Sequence, residues 1–293
     1  MSFTRILVPL DGSRLAEAVL PAASWLARRG DARLLLLHVL ERDPPELVHG
    51  EPHHASAEDA ERALESLAER LRQQGVAVEA HVHPRAVGDV ATAIDSHAHE
   101  LGADLIAMCA HGRTNLRTRL VGSIAERILR GGSVPILLRT AQRPDDAAFQ
   151  LRRVLVPVDF RHDVDASLTA VKALAPPEDA TVALLSAVEA ESPPTGRLLP
   201  RTAAILRELD HDDLQRRIAE LAQRLQPDVA NVETIVDDRR PVDAIAAAVE
   251  SLAPDLIVLV TDAHGAIARW HDPSAAQRLL RLPDLLLLLI KEL

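Results

Sequence analysis

Residues 109–123 read Cys-Ala-His-Gly-Arg-Thr-Asn-Leu-Arg-Thr-Arg-Leu-Val-Gly-Ser and follow the apolar run Asp104 to Met108. Two glycines, a histidine and three arginines at the end of a buried strand suit the binding of an anion. Gly112 and Gly122 let the backbone come close to a ligand. A helix starting near Ser123 aims unpaired N–H groups and the positive end of its dipole at the same place, so a phosphate is the natural occupant. Arg113, Arg117 and Arg119 add positive charge to a chain whose net charge is -10. Asp11 ends another apolar run and completes the set.

Such residues need a scaffold that brings them together. Residues 4–9 form one apolar run and residues 33–40 a second. Between them, residues 13–29 have helical spacing, and Pro21 should kink or split that helix. Ser56-Ala-Glu-Asp59 reads as a capping box opening a helix with Ala60, Leu64, Leu67 and Leu71 on one face. A strand from Val76 to Val82, a helix from about Gly88 to Leu101, strands at Asp104–Met108 and Val134–Leu138, and a helix from Ser123 to Arg130 complete the pattern. Four of the five strands are apolar along their whole length, as in a parallel sheet covered on both faces.

The same unit occurs twice. Arg5-Ile-Leu-Val-Pro-Leu-Asp11 recurs as Arg153-Val-Leu-Val-Pro-Val-Asp159, and Gly102-Ala-Asp-Leu-Ile-Ala-Met108 recurs as Ala253-Pro-Asp-Leu-Ile-Val-Leu259. Leu67-Ala-Glu-Arg-Leu-Arg72 is echoed by Leu221-Ala-Gln-Arg-Leu-Gln226, and Val78-Glu79 by Val232-Glu233. Landmarks repeated in one order mean two tandem domains, residues 1–141 and 152–293, joined by the polar stretch Thr140–Gln150. The fold class is α/β: two five-stranded, doubly wound parallel sheets of Rossmann-like type. In such sheets ligands collect beyond the carboxyl ends of the strands where the winding reverses. Asp11 and Met108–Gly112 would share that rim.

Composition removes other classes. Three Phe, two Trp and no Tyr leave little for stacking on bases, and the acidic balance repels a phosphate backbone, so nucleic acid is set aside. The longest apolar stretches, Leu34–Leu37 and Leu285–Ile290, fall far short of the ~20 residues of a membrane span. One cysteine, Cys109, makes no internal disulfide, and no leader-like stretch precedes Arg5, which suits a cytoplasmic location. Cys109 reads as a small, half-buried strand-end residue rather than a reactive thiol. His111 reads as a loop-ordering hydrogen-bonding group, since no nucleophile with an oriented base surrounds it. Thirteen histidines raise a metal reading: His81 and His83 share one strand face, His49, His53 and His54 lie in one loop, and His97 and His99 diverge on a helix. No Cys-rich or His-Glu-x-x-His pattern supports a closed site.

The first copy resembles the universal stress protein family in its tandem form. Nucleotide-binding members carry Gly, two residues, Gly, nine residues, then Gly with Ser or Thr. Here the pattern is Cys109, Ala110-His111, Gly112, nine residues from Arg113 to Val121, then Gly122-Ser123. Val8-Pro9-Leu10-Asp11 and His38-Val39 match the family's first and second strand ends. The resemblance implies adenine against Asp11 and the Val39 backbone, with the triphosphate over Gly112, Arg113, Gly122, Ser123 and Ile124. A magnesium ion would bridge the phosphates. The candidate ATP-binding residues are therefore Pro9, Leu10, Asp11, Val39, Met108, Cys109, His111, Gly112, Arg113, Gly122, Ser123 and Ile124.

The second copy is an internal control. Alignment of Ile124–Arg130 with Ala275–Arg281 sets Pro273-Ser274 opposite Gly122-Ser123, and Phe160-Arg161 replaces Gly12-Ser13. Proline offers a phosphate no N–H and its ring blocks approach. The second copy is expected to serve as a covalently attached partner of the first, an intramolecular pseudo-dimer, with further homodimerisation left open. Three functions remain at this point: a stress-associated ATP-dependent regulatory protein with an unknown protein partner, an interaction module that binds no nucleotide, and a weak ATPase or nucleotidyl-transfer enzyme. No water-activating residue is recognisable beside the loop.

Overall fold

The computed structural model describes residues 3–42, 47–48, 51–52, 56–83, 85–110, 123–132, 134–140, 148–160, 164–187, 200–261 and 285–291. In the first half, β1 (Arg5–Pro9) leads through a 3-10 turn (Ala16–Val19) into α1 (Leu20–Gly30) and then β2 (Arg33–His38). A small hairpin of β3 (Leu47–Val48) and β4 (Glu51–Pro52) precedes α2 (Ala57–Gln73), β5 (Ala77–Val82), α3 (Val90–Glu100), β6 (Leu105–Cys109), α4 (Ser123–Gly131) and β7 (Ile136–Arg139). The second half follows with β8 (Arg153–Pro157), α5 (Asp165–Leu174), β9 (Thr181–Ala187), α6 (Pro200–Leu225), β10 (Asn231–Asp237), α7 (Pro241–Leu252), β11 (Leu256–Thr261) and β12 (Leu286–Lys291).

Local rules explain the ends of these elements. Pro21 splits the first helical stretch as expected: it stands in the first turn of α1, where its missing N–H has no helical partner to lose. Ser56 caps α2 by accepting from the Asp59 N–H at 3.1 Å. Ala60, Leu64, Leu67 and Leu71 are all buried on the face that α2 turns to the sheet. In the second half, α6 starts at Pro200, a residue whose missing N–H is tolerated in a helix's first turn.

Each half is a parallel sheet. Its strands stand in the order β5-β2-β1-β6-β7 in the first copy and β10-β9-β8-β11-β12 in the second. The winding reverses between β1 and β6, whose register pairs Ile6 with Leu105 and Leu7 with Ile106. The halves are not separate layers. β7 pairs antiparallel with β12, Leu286 opposite Arg139 and Leu289 opposite Ile136, which makes one ten-stranded sheet.

Alternate residues of the central strands feed two cores. Ile6, Val8, Leu34 and Leu36 face α1 and α2, and Leu7, Leu35, Leu37 and Ile106 face α3 and α4. Both cores continue through the seam into the second half. Burial on both faces is the reason these strands lack period-two alternation.

Candidate functional site

The reversal point between β1 and β6 sets the rim on which the sequence placed its candidates. Pro9 closes β1. Leu10 continues its line, with its N–H donating to the Leu37 carbonyl at 2.8 Å, and His38 Nδ1 donates to the Leu10 carbonyl at 2.9 Å. On the neighbouring strand, the Ala110 N–H donates to the Arg139 carbonyl at 2.7 Å, which holds the exit of β6 against β7.

Asp11 folds the turn that leaves β1. Its Oδ1 accepts from the Ser13 N–H at 2.9 Å and from the Ser13 hydroxyl at 2.7 Å, and Ser13 Oγ then accepts from the Ala16 N–H at 3.2 Å. Gly12 between them has φ +85°, a left-handed conformation that favours glycine. Asp11 thus shapes the turn and still lies half-buried at the rim.

The side chains of Leu10, Val39, Met108 and Cys109 are buried in the two cores. What these four positions can offer a ligand is main chain. Cys109 requires a correction: it is only 6% exposed rather than half-buried. The 3-10 turn covers it, with Sγ 3.5 Å from the Ala16 carbonyl. Burial pushes the thiol up to about 12, against the pull of the Val19 and Ala18 backbone and the Arg139 charge, with the Asp11 carboxylate adding to the rise.

Ser123 begins α4, and Ile124 in its first turn is partly buried against the core. His111, Gly112, Arg113 and Gly122 lie outside the described residues, as do Pro273 and Ser274 of the second copy.

The second half treats its matching rim differently. Phe160 stands where the first half has Gly12. Its ring packs against the core, the Arg217 guanidinium lies 4.4 Å from the ring centroid, and Arg217 Nη2 donates to the Phe160 carbonyl at 3.2 Å. A bulky ring under a cation thus stands where the first half has a residue with no side chain.

Two features were missed from sequence. Asp104 accepts from the Thr4 N–H and hydroxyl at 2.8 and 2.7 Å and from the Arg5 N–H at 3.0 Å. Its counterpart Asp255 accepts from the Arg152 and Arg153 N–H groups at 2.7 and 2.8 Å. The signal was present, since one acidic residue precedes Leu-Ile in both copies. The other feature is the approach of His83 to His97 across two elements, which no local spacing announces.

A seam cavity of about 420 Å³ lies between Ala18, Pro21, Arg139, Phe149, Arg152 and Asp255.

A doubly wound sheet with a tight Asp-Gly-Ser turn at its reversal point defines a class of α/β domains that gather ligands at one rim. The profile of the Universal stress protein family matches this chain twice, over residues 2–138 and 150–291, and the protein belongs to that family. The universal stress protein YxiE of Bacillus subtilis is 28% identical over 148 residues, which cover 46% of this chain and 98% of YxiE. Sll1654 of Synechocystis is 30% identical over 140 residues, 46% of this chain and 85% of its own length. A universal stress protein structure from Archaeoglobus fulgidus aligns over 98% of both chains with a TM-score of 0.69 and 19% identity, a likeness of fold.

Proposed function

We propose that the protein is a cytoplasmic stress-response regulator whose first domain, residues 1–141, binds ATP with magnesium, while the second, residues 152–293, serves as a built-in partner domain with a degenerate site. The observation that carries this reading is the contrast between the two rims. Gly12, at φ +85°, adds no side chain to the turn after the first strand, whereas Phe160, with Arg217 over its ring, stands at the same position in the second half.

The residues present fit the nucleotide. Asp11 at the rim suits the adenine end, the main chain at Val39 suits the base, and the start of α4 suits phosphate. The motif positions Gly112, Arg113, Gly122 and Ser123 follow β6 at the family's spacing. Magnesium belongs to the nucleotide's own phosphates. In this reading ATP acts as a bound signal rather than as fuel.

Equilibrium dialysis against ATP and magnesium tests the assignment. The parent chain binds one nucleotide, and Gly122→Pro, which imitates the second copy, binds none. Equal uptake by both defeats it.

Cys109 favours a second reading, an interaction module without nucleotide, because a buried side chain stands where the family's motif has its first glycine. No nucleotide in the protein as purified, and no thermal shift on adding ATP, selects that reading.

A further inference from the structure

β5 is an edge strand of the ten-stranded sheet, and the His83 N–H at its exit donates to the His38 carbonyl at 2.8 Å. Facing it, α3 presents His97. His83 Nδ1 and His97 Nε2 lie 2.7 Å apart with ring planes at 81°, a hydrogen bond between two imidazoles. On the far side of the His97 ring, Nδ1 lies 3.3 Å from Glu100 Oε2. A chain of ring, ring and carboxylate therefore joins the sheet edge to α3, beside a cavity of about 450 Å³.

We propose that the His83–His97 bond is an acid-sensitive latch that ties α3 to the sheet edge, closed while at least one ring is neutral and released when both carry an extra proton. The reason lies in the donors. A neutral imidazole has one N–H and one lone pair, whereas an imidazolium has two N–H groups and no acceptor. One neutral ring supplies the lone pair that the bond needs. With both rings protonated, two donors and two like charges meet at 2.7 Å, and the contact breaks.

The surroundings oppose the added charge. Burial, the largest influence, holds the His97 ring below its usual 6.5; the Glu100 carboxylate works against this, and His83 and His81 add to the lowering. His81, on β5, lies 3.4 Å from the Glu79 carboxylate, and Arg42, from the chain after β2, brings a further positive charge to the cavity wall. Asp89, at the start of α3, is committed to Arg127, and Asp95 faces His99 at 3.8 Å. Among the described residues Glu100 is the carboxylate set against the pair, and one carboxylate offsets one added proton, not two. The folded His97 value lies below the unfolded one, so the unfolded chain takes up the proton first as acid is added. The latch contributes fully above pH 6.5 and is lost progressively below it. Release is local, because Ala91, Ile94 and Ala98 still bury the other face of α3 in the core. This inference stands apart from the nucleotide reading: it uses the edge strand and α3, and neither Asp11 nor the β6–α4 segment.

Amide hydrogen exchange on the full chain, corrected for the intrinsic effect of pH, tests the latch. The His83 and Leu101 amides report on it, since they donate to the His38 and His97 carbonyls. In the parent their protection falls between about pH 7.5 and about pH 5, by up to about tenfold per pH unit for each extra proton bound on opening. His97→Gln keeps an acceptor oxygen for His83 and takes up no proton, so there the fall is absent. His99→Gln, on the exposed side of α3, behaves as the parent does. A second measurement needs no variant: the imidazole nitrogen resonances of His83 and His97 titrate in the parent, and protection is lost with the second protonation of the pair. Protection that holds across the range, an equal fall in His97→Gln, or both rings turning to imidazolium with protection intact would overturn the latch.

Discussion

Thr140 and Leu285 are stitched together at the seam of the two halves by reciprocal bonds. The Thr140 N–H donates to the Leu285 carbonyl at 2.8 Å, and the Leu285 N–H donates to Thr140 Oγ1 at 2.9 Å. Both residues are buried, so the hydroxyl is the partner that keeps the Leu285 amide satisfied. Thr140→Val keeps the shape and removes that acceptor. A buried amide left without its bond costs about 1–3 kcal/mol. Urea denaturation should show that loss as a lower midpoint with the slope unchanged.

Asp104 and Asp255 carry out one task in two places, tying the entry of β1 to that of β6 and the entry of β8 to that of β11. Replacing either with Ala is expected to cost about 1.5 kcal/mol, the lower end for bonds to a charged acceptor, because these groups keep some contact with water. The two losses should add in the double variant, since the sites share no partner. Asn at either position retains an acceptor oxygen and loses less. Chemical denaturation of the single and double variants measures both expectations.

Asp89 caps α3 and clasps α4. Arg127, the largest influence, together with the Thr92 N–H and hydroxyl, lowers its carboxyl from 3.8 to about 2. The folded value lies below the unfolded one, so the unfolded chain takes up the proton first as acid is added. The stabilising contribution is complete above pH 3.8 and disappears as pH falls toward about 2. Arg127→Ala should raise the Asp89 titration toward 3.8, read by carboxyl NMR. An unchanged titration in that variant would refute the clasp.

Cys109 gives a chemical measure of opening. With its thiol under the 3-10 turn and pushed up to about 12, almost no thiolate exists near pH 8. A thiol reagent should modify the native chain very slowly and the denatured chain at the rate of a free cysteine. Labelling that rises with urea before global unfolding would show that the 3-10 turn lifts on its own.

Much of the fold was legible because its strands and helices obey different periods. The uniform burial of β1, β2, β6 and β7 follows from a parallel sheet, and Ser56 and Pro21 act as local chemistry dictates. The union of the sheets was not legible. Ile136–Leu138 and Leu286–Leu289 are apolar in the same way as strands with two parallel neighbours, so nothing in them announces an antiparallel mate. Cys109 was misjudged because its cover, Ala16 and Ala18, comes from a turn distant in sequence. The rim around Asp11 was readable from the repeated strand ends, whereas the His83–His97 approach depends on how α3 lies against an edge strand.

The head-to-foot meeting of β7 and β12 also decides where the two halves look. Strands that run toward Asp11 in one half oppose those that run toward Asp159 in the other, so the two rims lie at opposite poles of the sheet. A guest held at one pole and a protein gripping the other would never touch. The ten strands of one sheet are all that lies between the two poles along this layer.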